Sequence, residues 1–213
     1  MSKTLKTFPL LCLTALLVTS SFVLAQDKKD EKPKEEPKKE KVVAAEVGKA
    51  APTFTLKDLD GKEVKLSDYK GKIVVLEWFQ PSCPYCVNGY NEGGNCRATS
   101  EKLTKDGVVW LAVNSNNADH PDSKIETNKE FFKSRKLSAQ VLMDTDGKVG
   151  RAYGAKSTPH CMVIDAKGNL AYRGAIDNAM EKDAKEKVNY VEAAVKELKA
   201  DKKVTQTETK SYG

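Results

Sequence analysis

Histidine and cysteine are scarce in this chain: two histidines and five cysteines in 213 positions. One Cys-x-x-Cys is present, Cys83-Pro84-Tyr85-Cys86, and neither a second such pair nor a histidine pair at ligand spacing accompanies it. A four-ligand zinc site therefore lacks half its donors, and no metal is expected. Long apolar runs are equally rare. After residue 25 nothing is long enough to cross a bilayer. No internal repeat is present. The formal net charge is only +6, and much of the lysine alternates with glutamate in one run near the N-terminus. That pattern describes a solvated segment and gives no reason to expect a nucleic-acid partner. What is there, 39% hydrophobic and 31% charged residues, describes a globular domain with a charged surface.

Residues 1–25 have the pattern of a secretory signal. Lys3 and Lys6 precede an apolar core from Leu10 to Leu24, and Val23-Leu24-Ala25 offers small residues before Gln26. No cysteine follows that core, which argues against a lipid-anchored product. Export to the periplasm or beyond is expected, with the N-terminus either cleaved or kept as an anchor. Residues 26–46 follow as a charged tether. Their first part, 26–41, holds seven lysines against six acids and no apolar side chain except two prolines, so it is expected to be disordered. A folded domain is expected over 47–200, and a polar, frayed tail over 201–213.

Within the domain, Thr53–Leu56 and Glu63–Leu66 flank Asp60-Gly61 and predict a leading hairpin. Residues 72–79 are nearly all apolar, as in a strand buried on both faces. A helical stretch from Pro84 to Lys105 is interrupted by Gly89, Gly93 and Gly94, which predicts two helical pieces. Strands are predicted at 108–113, 140–143, 161–165 and 170–175. Helices are predicted at 123–136, with Ile125, Phe131, Phe132 and Leu137 inward, and at 147–153. A last helix is predicted at 184–200, with Val188, Val191, Val195 and Leu198 inward. Alternating strands and helices imply an α/β sandwich with a mainly parallel centre.

Two thiols separated by two residues, at a strand-to-helix junction, can cycle between dithiol and disulfide. The first lies where helix amides stabilise a thiolate. An inert structural bridge is the competing reading. Cys12 belongs to the signal, so Cys83, Cys86, Cys96 and Cys161 remain, and they allow three pairings. Cys96 and Cys161 read as small buried apolar side chains or as a further pair.

Glu77-Trp78-Phe79-Gln80-Pro81-Ser82-Cys83-Pro84-Tyr85-Cys86, followed much later by Ser157-Thr158-Pro159-His160, resembles the thioredoxin superfamily. Within it the chain is similar to the exported redoxin branch, the TlpA-like and AhpC/TSA-related proteins, over about residues 47–200. The resemblance implies a thioredoxin-like α/β fold: a central mixed sheet flanked by helices, with an N-terminal β-hairpin extension. It implies that Cys83 attacks and Cys86 resolves. It places Glu77 where a buried acid accepts the Cys86 proton, and Pro159 at a cis-proline whose neighbour Thr158 pairs with an extended substrate. His160, Pro84 and Tyr85 become candidate substrate contacts. Pro84-Tyr85 is the dipeptide common in glutaredoxins, while Pro81-Ser82 departs from the usual aromatic residue before the first cysteine.

The implied activity is thiol-disulfide oxidoreduction outside the cytoplasm, on protein or small thiol and disulfide substrates. Electrons would come from a membrane-bound donor, and no cofactor is required. A peroxidase related to the peroxiredoxins is one alternative. Its Pro-x-x-x-Thr/Ser-x-x-Cys pattern is absent, since Pro81 lies only two residues before Cys83. A non-enzymatic module is the other.

Overall fold

The computed structural model describes residues 44–213 apart from 138, 139 and 182. The expected signal and most of the expected tether lie outside the described residues. In chain order the elements are β1 (Thr55–Asp58), β2 (Glu63–Lys65), β3 (Val74–Trp78), α1 (Pro84–Tyr90), α2 (Asn95–Lys105), β4 (Val109–Asn114), α3 (Ile125–Ser134), β5 (Gln140–Met143), α4 (Lys148–Tyr153), β6 (His160–Ile164), β7 (Leu170–Gly174) and α5 (Tyr190–Lys199).

The seven strands form one sheet in the order β2-β1-β5-β4-β3-β6-β7. β3, β4 and β5 run parallel, and the hairpins β1–β2 and β6–β7 close the two edges antiparallel. All five β3 residues are buried, because helices cover both faces of the sheet. Side chains alternate across it. Val74, Leu76 and Trp78 join Phe54 and Tyr153 on one side, while Val75 and Phe79 join Cys86, Tyr90, Phe131 and Phe132 on the other. Glu77 therefore points to the same side as Cys86.

The glycines that break the long helical stretch let its two halves meet. A Cβ on Gly94 would lie 2.3 Å from the Gly89 carbonyl oxygen, and one on Gly89 would lie 2.6 Å from Cys96 Sγ.

Four expectations need correction. The domain starts before residue 47: Ala45 is buried, and its N–H donates to Ala152 O at 2.8 Å. Ile125 and Val188 face outward, at 39% and 38% exposure. The last helix begins at Tyr190, because Asn178 claims the preceding backbone. Its Oδ1 accepts Val188 N–H at 2.9 Å and its Nδ2 donates to Glu186 O at 2.7 Å. Asn189 then caps the helix by accepting Glu192 N–H. Finally, the segment after residue 200 does not fray. Thr207 and Thr209 pair with Arg173 on β7. No helix among the described residues is long and apolar enough to cross a membrane.

Candidate active site

Cys83 ends the turn after β3 and is the N-cap of α1, with Pro84 in the first helical turn. That position suits proline, whose missing N–H would find no helical partner there. Cys86 follows on the buried side of α1. The four described cysteines are unbridged. Cys83 is partly exposed and Cys86 fully buried. Their environments drive the two thiols apart. The hydrogen bond from Cys86 is the largest influence on Cys83. With the Thr158 side chain and the backbone amides of Cys86 and Tyr85 it outweighs burial and brings the thiol down to about 5. Cys86 is driven upward by the same hydrogen bond, by burial, and by the negative charge of Glu77.

The Thr158–Pro159 peptide is cis, and Cys83 Sγ lies 2.9 Å from the Thr158 carbonyl oxygen. Strand β6, paired with β3, carries this turn to the dithiol. A cleft of about 360 Å³ opens beside it, between Trp78, Ser115, Arg151 and Thr158.

Glu77 is completely buried. Its Oε2 accepts hydrogen bonds from the Tyr90 hydroxyl and, at 3.0 Å, from Trp110 Nε1. Among the described residues Oε1 has no partner. Burial pushes the carboxyl up to about 7, against the pull of Tyr90, Trp110 and Cys96. Cys96 and Cys161 lie in the same buried cluster, and burial raises both thiols well above the ordinary range.

Cys83, Cys86, Glu77, Thr158 and Pro159 thus converge, and Tyr85 stands half out of the surface beside them. Pro84 is exposed. The expectation that His160 touches substrate is corrected. It is only 4% exposed, and its Nδ1 accepts Lys156 N–H at 3.2 Å. Burial, then Arg173 and Lys156, lowers it to about 4, so it is a neutral brace for the proline turn.

Three features escaped the sequence. Tyr90 and Trp110 hold the acid. Buried Asp122 accepts from Gln80 Nε2 at 2.8 Å and from the Ser82 hydroxyl, and so pins the turn before Cys83. Tyr212 reaches the Tyr85 ring from the far end of the chain. Only Trp110 carried a signal, as an aromatic residue within an apolar strand.

A strand, a Cys-x-x-Cys and a helix facing a cis-proline turn on this mixed sheet define a thioredoxin-like protein. The chain belongs to the AhpC/TSA family, whose model matches residues 47–173. It is similar to the thiol-disulfide oxidoreductase ResA of Bacillus thuringiensis subsp. konkukian. That likeness is 32% identical over 125 residues, 59% of this chain and 67% of the other. It is also 33% identical over 134 residues to a chloroplastic peroxiredoxin Q of Triticum aestivum, covering 59% of this chain and 57% of that one. Among solved structures, a hypothetical protein of Sinorhizobium meliloti 1021 superposes with a TM-score of 0.69 at 25% identity, covering 80% of this chain and 93% of the other. The chain is an oxidoreductase of the thiol-disulfide kind.

Proposed function

We propose that this enzyme works outside the cytoplasm and reduces protein disulfides, with Cys83 attacking and Cys86 resolving. The observation that carries this reading is the split between the two thiols, one held as a thiolate near neutral pH and the other held protonated. Cys83 thiolate attacks one sulfur of the target. A Cys83–target bond forms, the target disulfide breaks, and the released thiolate takes a proton from water. Cys86 then gives its proton to the Glu77 carboxylate and attacks Cys83 Sγ. The second target thiolate leaves, and two electrons have passed from the enzyme to the target. A carboxyl near 7 both accepts and returns a proton at neutral pH. The Cys83–Cys86 disulfide is then reduced by a membrane-bound donor. Export rests on the N-terminal sequence of residues 1–25.

The likeness to a peroxiredoxin favours a second reading, thiol peroxidase activity. One experiment separates the two. Reduction of an insulin-type disulfide and consumption of peroxide are followed for the intact enzyme, Cys83→Ser and Cys86→Ser. Disulfide reduction lost in both variants, with negligible peroxide turnover throughout, is expected. Fast peroxide turnover that survives Cys86→Ser would overturn the reductase reading.

A further inference from the structure

The C-terminal segment returns to the dithiol. It is anchored first on the sheet edge. Arg173 N–H donates to Thr207 O at 3.0 Å, and Thr209 N–H donates to Arg173 O at 3.1 Å. The Thr209 hydroxyl also accepts Ala175 N–H at 2.9 Å. From there the chain crosses to the turn before Pro159. Ser157 Oγ donates to Ser211 Oγ at 2.9 Å. The Tyr212 ring lies 6.0 Å from the Tyr85 ring, centroid to centroid. Its hydroxyl accepts from Asn95 Nδ2 at 3.0 Å and donates to Asp177 Oδ1 at 2.7 Å. Gly213 rests on the backbone of Thr158: a Cβ there would fall 2.2 Å from Thr158 O and 2.9 Å from Thr158 N.

The same Thr158 carbonyl lies 2.9 Å from Cys83 Sγ. A target sulfur bonded to Cys83 sits about 2 Å from Sγ. The target chain continues in steps of about 3.8 Å between Cα atoms. Residues flanking a target cysteine in a polypeptide come within reach of the Thr158 backbone and the Tyr85 ring. Gly213 and Tyr212 hold those places. A small disulfide has no flanking chain and needs neither.

We propose that residues 211–213 are a strap over the polypeptide-binding surface beside Cys83, so that protein disulfides react only when it lifts while small disulfides react directly. The inference rests on the disulfide-exchange reading above, and it makes Tyr212 a specificity-determining residue. The strap is held by an aromatic pair and a few hydrogen bonds, enough to favour the closed form by roughly tenfold and too little to lock it.

The test compares the pre-reduced full chain with Tyr212→Ala and with a chain stopped after Lys210, after circular dichroism has confirmed the fold. Two rates are read in single turnover: reduction of an insulin-type protein disulfide and reduction of a small aromatic disulfide. Both variants are expected to speed the first, by about tenfold for the shortened chain, and to leave the second unchanged. Equal effects on both substrates, no effect, or a slower protein reaction would overturn the strap. Should the shortened chain not fold, Tyr212→Ala decides by the same pattern. Alkylation of Cys83 by iodoacetamide and by a polymer-linked maleimide must show the same split, with only the bulky reagent accelerated. That readout needs no catalysis, so it stands even if no form of the enzyme exchanges disulfides, a result that would instead sink the functional reading.

Discussion

Trp110 and Glu77 stand on neighbouring parallel strands with their side chains on one face, and the indole Nε1 donates to Glu77 Oε2 at 3.0 Å. With the Tyr90 hydroxyl on the same oxygen, one edge of the carboxyl is fixed and the other is left without a partner among the described residues. An unpaired buried oxygen disfavours ionisation. Burial thereby pushes the Glu77 carboxyl up to about 7.

Glu77 makes the enzyme less stable as pH rises. Below about 4.5 the carboxyl is protonated in folded and unfolded chains alike. From there to about 7 only the unfolded chain ionises, so the folded state loses ground. Glu77→Gln, which keeps an oxygen for Trp110 and Tyr90, should be more stable than the parent by about 3 kcal/mol near pH 8 and by nothing near pH 4. Urea unfolding of the reduced chains at both pH values is the check. A difference that ignores pH would mean that the carboxyl is solvated.

Trp110→Phe removes the donor and retains an aromatic ring. Losing a hydrogen bond to the charged form should raise Glu77 above about 7. The pH profile for resolution of a Cys83 mixed disulfide should move to higher pH, while attack by Cys83 keeps its profile. Movement of both limbs together would point to a general disturbance of packing.

Cys83 alkylation should inflect at about pH 5 in the parent enzyme. The Cys86 thiol is the largest downward influence, so Cys86→Ala should shift the inflection upward by about one unit or more. Iodoacetamide rates across the pH range measure this directly. An unchanged inflection would assign the effect to Thr158 and the amides of α1.

Gly94→Ala tests the joint between α1 and α2. The new Cβ would meet the Gly89 backbone at 2.3 Å, so a backbone must move. A loss of about 2 kcal/mol or more is expected. Chemical denaturation would show it as a lower midpoint with an unchanged slope, and retention of full stability would mean that the joint is loose.

The local features were legible because their causes are local. An unbroken apolar run at Val74–Leu76 predicts a buried strand. Gly89, Gly93 and Gly94 predict a helix broken into two pieces. The misses have causes elsewhere in the chain. Val188 reads as helical from its neighbours, but Asn178 binds its N–H. His160 reads as a candidate substrate contact, yet it is buried within β6 and its Nδ1 accepts Lys156 N–H. The sequence 201–213 is polar and carries no burial pattern. Its order comes from hydrogen bonds to a sheet edge and from one tyrosine.

The sequence by itself determined the dithiol, because a strand, a turn and a helix start are written within a few consecutive residues around Cys83 and Cys86. Only the tertiary structure decided how completely Cys86 and Glu77 are buried, that Tyr90 and Trp110 hold the Glu77 carboxyl, and that Tyr212 reaches the Tyr85 ring. Those arrangements join residues far apart in the chain through burial and hydrogen bonds over a few ångströms. Separation along the chain says nothing about such distances.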